Sequence, residues 1–132
     1  MYSLAVVFGF LNLVLLEASY LDTRASLFLP FASECICATG VDPKKAHDYI
    51  FNLKYTDDPC LKCFVKCSTT KIGYFTSDGK HQDSATRKNI PEATQQFITT
   101  CTNITSIYTD LCEKMFEYSR CMVNFLLKLE NV

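Results

Sequence analysis

Residues 57–73 read DDPCLKCFVKCSTTKIG, a stretch that holds both ends of a helix and three of the chain's eight cysteines. Asp58 before Pro59 is a start signal. An aspartate side chain accepts from the unpaired N–H groups of a first turn, and proline there has no N–H to leave unpaired. Gly73 after Ile72 is the matching stop, a residue that takes left-handed backbone at little cost. Between them Cys60, Cys63 and Cys67 stand three and four apart, so on a helix they share one face. One helix therefore offers a row of sulfurs to its neighbours.

The C-terminal stretch predicts one such neighbour. Asp110-Leu111-Cys112-Glu113 has the spacing of a capping box, with Asp in the usual Ser/Thr place. Behind it Leu111, Met115, Tyr118, Met122, Phe125 or Leu126, and Leu129 recur at steps of about four and three, one face of a helix. Cys112 and Cys121 are about half a turn out of phase and point to opposite sides. That pattern predicts a helix clamped on both flanks. The remaining MVNFLLKLENV either extends this helix or folds back over the protein.

Other punctuation is also helical. Asp42-Pro43 precedes KKAHDYIFNL, and Pro91-Glu92 is expected to open ATQQFITTC. Gly40 ends the first segment, Ser77-Asp78-Gly79 is a turn, and the polar stretch 80–89 is expected to hold a short helix. Pro30 either starts a shortened first helix or kinks a longer one. No stretch alternates with period two, so the class is all-α, with five or six short helices.

Residues 4–16, LAVVFGFLNLVLL, carry no charge. They are too few for a membrane span of roughly 20 residues but suit the core of a signal peptide. Residues 1–18 are read as that leader, with cleavage after Ala25 as the later alternative, and 19–132 as a single helical ligand-binding domain. No Lys or Arg precedes the core, so only the α-amino group supplies its positive end. All eight cysteines, at 35, 37, 60, 63, 67, 101, 112 and 121, fall in the mature part. In a short secreted chain that count reads as a disulfide framework. Such a small core is marginal alone; each bridge closing a loop of some thirty to forty residues adds roughly 3–4 kcal/mol. A formal net charge of −1 with no basic block argues against nucleic acid. No second stretch could span a membrane, so no membrane insertion of the mature chain is expected.

From Cys35 the spacing is C-x27-C-x3-C-x33-C-x10-C-x8-C, through Cys63, Cys67, Cys101, Cys112 and Cys121. With the flanking text ECICATGV at 34–41, LKCFVKCSTTKIGYFTSDGK at 61–80 and DLCEKMFEYSRC at 110–121, this resembles the insect odorant-binding (pheromone-binding, PBP/GOBP) family over nearly the whole mature chain. The resemblance implies a compact disulfide-stapled bundle enclosing an apolar cavity, with bridges Cys35–Cys67, Cys63–Cys112 and Cys101–Cys121. Cys37 and Cys60 fall outside the six-cysteine pattern. They are expected to form a fourth bridge, the rivals being two free thiols or an intermolecular link. The gap between Cys67 and Cys101 is shorter than the family's usual one.

By distance from the matching cysteines, the resemblance places the cavity wall on Phe28, Tyr49, Val65, Thr69, Ile98, Met115, Phe116 and Met122. Phe125, Leu126 and Leu127 close it if the tail folds over. The competing reading of such stripes is plain core. Asn103-Ile104-Thr105 is a glycosylation sequon. His47 and His81 are the histidines; His81 reads as an exposed loop residue, near where some relatives place a pH-sensitive lid. His47-Asp48 has the order of the catalytic pair of secreted phospholipases but lacks their flanking cysteines and Gly-rich calcium loop. The closely spaced cysteines could bind zinc, but a secreted setting favours disulfides. No catalytic set, cofactor or metal site is expected.

The function implied is an extracellular carrier that holds an odorant- or pheromone-like apolar molecule noncovalently. It would act as a monomer or weak homodimer, with a membrane chemoreceptor among its partners. The alternative is a secreted disulfide-rich interaction protein with a filled core, acting through its surface. A family relative working outside olfaction would have the same residues.

Overall fold

A computed structural model describes residues 19–131; the expected leader, residues 1–18, lies outside them. Six helices follow one another: α1 (Tyr20–Thr39), α2 (Pro43–Asn52), α3 (Pro59–Ile72), α4 (Asp83–Asn89), α5 (Gln95–Thr105) and α6 (Leu111–Glu130). There is no strand among the described residues, only an isolated bridge between Phe75 and His81.

The caps work as the sequence suggests. Asp42 accepts from Lys44 N at 2.9 Å, Asp58 from Leu61 N at 2.8 Å and Asp110 from Glu113 N at 3.0 Å. Glu113 does not complete the capping box, because its carboxylate is engaged by Lys62 Nζ at 2.6 Å. Gly73 ends α3 at φ +100°, donating to Thr69 O and Thr70 O. One expectation on a helix start needs correction, and one open alternative is decided. α5 starts at Gln95, capped by the Thr94 hydroxyl accepting from Phe97 N at 3.2 Å, and Pro91-Glu92 lies in the turn before it. Of the two alternatives for Pro30, the longer helix is the one formed: α1 is a full twenty residues with Pro30 inside it. Pro30 is exposed, so the backbone bond it removes is lost on the watered side of the helix, where solvent can replace it. The C-terminal residues extend α6 to Glu130 and do not fold back.

α3 is the central element, packed between α1 and α6, with α5 on the other flank of α6 and α2 against α1. Its buried face is Leu61, Phe64, Val65, Ser68 and Thr69. Bridges Cys35–Cys67, Cys63–Cys112 and Cys101–Cys121 join α1 to α3, α3 to α6 and α6 to α5. These are the pairs the resemblance implies. The expected fourth bridge is absent: Cys37 and Cys60 are free and exposed. Cys35 is buried against α3, and Cys37, two residues on, is turned about 200° round α1. Cys60 shares a face with Cys67 but sits about 10 Å further along the axis of α3.

The buried apolar residues form two clusters. The first joins Phe28, Val41, Tyr49, Ile50, Leu61, Phe64, Val65 and Phe116. The second joins Tyr20, Tyr74, Phe75, Ile90, Ile98, Met115, Tyr118, Met122 and Leu126. α6 serves both, its Phe116 entering one and its Met115, Tyr118, Met122 and Leu126 the other.

Candidate functional site

The second cluster is not solid. Between α1, α3, α6 and the 74–90 segment lies a buried void, lined by Tyr20, Phe28, Thr69, Tyr74, Phe75, Thr86, Ile90, Met115, Tyr118, Ser119, Met122 and Val123. The space open to the centre of a water molecule is only about 30 Å³, enough for one or two waters. A pocket that buries a drug-sized molecule measures roughly 300–1,000 Å³. The void itself, as it stands, has no room for an odorant-sized ligand.

Of the residues expected on the wall, Phe28, Thr69, Met115 and Met122 line the void. Tyr49, Val65 and Phe116 belong instead to the first cluster, where the Tyr49 ring meets Phe28 edge-on at 5.5 Å. Ile98 and Leu126 are buried in the second cluster without lining the void, and Phe125 stacks on Phe97 at 4.5 Å. Tyr118 belonged to the legible stripe of α6. Tyr20, Tyr74, Phe75, Thr86, Ile90, Ser119 and Val123 were not singled out, and Tyr74 and Phe75 lie beyond the end of α3, where no periodicity marks them.

The 74–90 segment forms one wall. Its turn closes with Thr76 N on Lys80 O at 2.9 Å and Gln82 N on Tyr74 O at 2.8 Å. Gly79 permits the turn twice over. Its φ is +87°, and a Cβ there would meet Leu111 Cδ2 at 2.5 Å. This places the loop directly on the start of α6.

His81 corrects the reading of an exposed loop residue, for its side chain is only 6% exposed. Its Nδ1 lies 2.7 Å from Asp83 Oδ1, and its Nε2 lies 2.8 Å from the Tyr118 hydroxyl and 2.9 Å from that of Thr86. Phe75 meets the ring edge-on at 5.2 Å. Burial lowers the histidine's pKa below its ordinary value, while Asp83 opposes the shift. The Tyr118 phenol is pushed well up, chiefly by burial. His81 thus ties the 74–90 wall to α6.

The other polar feature is Arg24, 2% exposed. Its Nη1 donates to Tyr49 O at 2.9 Å and Ile50 O at 2.6 Å, at the C-terminal end of α2. The Phe28 and Tyr49 rings flank the guanidinium at 4.8 and 4.9 Å. The partial negative charge of a helix C-terminus and two ring faces suit a cation. Ser119 Oγ bridges the hydroxyls of Tyr49 and Tyr55 at 2.8 and 2.9 Å, and burial raises both phenols.

No set of three or more His, Cys, Asp or Glu side chains is placed to hold a metal ion among the described residues. Nor is any described helix long and apolar enough to cross a membrane. Six helices cross-linked three times around a small mostly apolar void define a disulfide-stapled all-helical bundle. The sequence profile of the PBP/GOBP family matches residues 17–124, most of the chain, and the chain belongs to that family. No curated protein and no solved structure matches it. Members are secreted binding proteins rather than enzymes, and the family places this chain among carriers of small hydrophobic ligands.

Proposed function

We propose that the chain is a secreted carrier that takes one odorant- or pheromone-like apolar molecule into the void of the second cluster and releases it to a membrane chemoreceptor or another target. The observation that carries this reading is the composition of the void's wall: Phe28, Phe75, Ile90, Met115, Met122 and Val123 supply half of it, and the rings of Tyr20, Tyr74 and Tyr118 add further apolar surface. Methionine side chains adapt readily to new shapes. Loading must enlarge the space, and the 74–90 segment is the wall that yields at least cost, since no disulfide joins it to the bundle. Tyr49, Val65, Ile98, Phe116, Phe125 and Leu126 then form the layer behind the wall. Apolar burial at roughly 25 cal/mol per Å² drives uptake, offset by the entropy of association.

Cleavage after Ala18 is the processing this reading favours. Cleavage after Ala25 would remove Tyr20 and Arg24, both buried. Asn103 is exposed on α5, where a glycan would meet no obstacle from its own burial. A monomer or weak homodimer is proposed as the working state.

The test is displacement of a fluorescent apolar probe from the secreted, oxidised protein by long-chain alcohols, esters and aromatics. Saturable one-site uptake reversed by some of them supports the carrier. Absence of uptake by folded, oxidised protein would move the assignment to the second reading, a filled-core protein acting through its surface. The small size of the void favours that reading.

A further inference from the structure

Resting on the carrier reading, we propose that the cargo is an apolar chain with an acidic head, a long-chain carboxylic acid, and that the head is received on the side of the void formed by Tyr20, Phe28 and Tyr74, with Arg24 behind it.

Most polar groups around the void are already committed. Thr69 Oγ1 donates to Val65 O at 2.7 Å, the hydroxyls of Thr86 and Tyr118 are held by His81, and Ser119 bridges Tyr49 and Tyr55. Tyr74 is the exception. It is 6% exposed, and its hydroxyl is buried without a partner. A buried hydroxyl without a partner is costly and calls for one. A phenol with a raised pKa, as burial gives Tyr74, stays protonated and donates to an acceptor oxygen. In the empty protein a water in the void can fill that place; in the loaded one, the head of the cargo can.

The charge comes from Arg24. No carboxylate oxygen lies within salt-bridge distance of its guanidinium among the described residues, and its buried Nε has no partner. The two carbonyls of α2 and two ring faces hold it, but none of these carries a full negative charge. A buried cation without a counter-charge is unusual, because desolvation is normally offset by a paired anion. Phe28 touches Arg24 with its ring and lines the void; Tyr20, one helical turn before Arg24, also lines it. The uncompensated charge therefore lies behind Phe28, on the same wall that carries the one buried hydroxyl without a partner, that of Tyr74. A neutral cargo would leave both unanswered, whereas a carboxylate answers them together through a charge-assisted bond and an unscreened attraction.

The experiment displaces the same probe with dodecanoic acid, dodecanol and methyl dodecanoate, which share one tail. At neutral pH the acid is expected to bind about tenfold more tightly than the ester, the difference between a charge-assisted and a neutral hydrogen bond. The preference should fade as the pH falls to about 4, where carboxylic acids take up a proton. Tyr74→Phe removes only the hydroxyl and should bring the acid several-fold towards the ester. Arg24→Met should abolish the preference but also frees two carbonyls of α2, so the ligand series and Tyr74→Phe decide the matter. Equal displacement by acid, alcohol and ester would overturn the acidic head and leave the carrier standing. No probe uptake at all would overturn both.

Discussion

The two apolar clusters use similar residues to opposite ends. In the first, Tyr49 meets Phe28, Tyr55 and Phe64 edge-on at 5.3 to 6.3 Å, and Tyr55 meets Phe116 in the same way. Rings in this arrangement fill space and favour one geometry. Around the void of the second cluster, two methionines and a loop segment take much of the wall, and no bridge ties that loop to the bundle. Two disulfides join α1, α3 and α6, whose residues build the first cluster together with α2. The third bridge, Cys101–Cys121, lies in the second cluster but does not reach the 74–90 loop, so the difference teaches that this loop is the unstapled side of the void, the side the proposed carrier would open.

Phe64→Ala is the sharpest way to break that contrast. It empties a fully buried ring site in the rigid cluster and should cost about 3–5 kcal/mol in chemical denaturation. A cost below about 1 kcal/mol would mean that the first cluster also relaxes freely. Met122→Ala, on the wall of the void, should cost about 2–3 kcal/mol, towards the lower end for such truncations because the neighbouring space is already slack. The same variant should take up a bulkier probe more tightly. If it binds no better, the void does not lie on the route of the cargo.

Gly79→Ala is smaller again. The left-handed backbone costs about 1–2 kcal/mol, and the new Cβ must displace Leu111. The loss should appear in thermal unfolding and as faster probe exchange, since the loop seats the yielding wall on α6.

Burial keeps His81 below its ordinary pKa of 6.5, so the unfolded chain takes up a proton first as pH falls. The stability contributed by the neutral ring is complete above about pH 6.5 and declines as the pH drops through the lowered value. The groups facing the ring are Asp83, Thr86, Tyr118 and Phe75. Asp83, itself held low by His81, loses its contribution only in a more acidic window. His81→Gln should flatten the stability profile just below pH 6.5; an unchanged slope would place the titration elsewhere. The smallest effect is expected at the free thiols. Cys37→Ser with Cys60→Ser should change stability by less than about 0.5 kcal/mol, and thiol titration of the unmodified protein should find two groups. A loss of several kcal/mol would restore the fourth bridge.

Much of this was legible beforehand, for local reasons. Asp58, Pro59 and Gly73 bound α3 because capping and proline geometry involve only neighbouring residues, and α6 announced its face through the spacing of Met115, Tyr118 and Met122. Thr94 was missed as the cap of α5 because Pro91 is the louder signal three residues earlier. The wall residues Tyr74 and Phe75 were missed because nothing periodic marks a loop that folds onto a distant helix.

The sequence by itself determined the helical class, most helix ends and the spacing that places the chain in its family. Cap bonds and helical faces depend on residues a few positions apart, and so can be read in order. Tertiary structure alone decided which thiols stay apart, where His81 is buried, how little space is left in the void and that Arg24, buried behind Phe28, has no counter-charge. Those outcomes depend on distances between segments tens of residues apart, which are set by how whole helices pack.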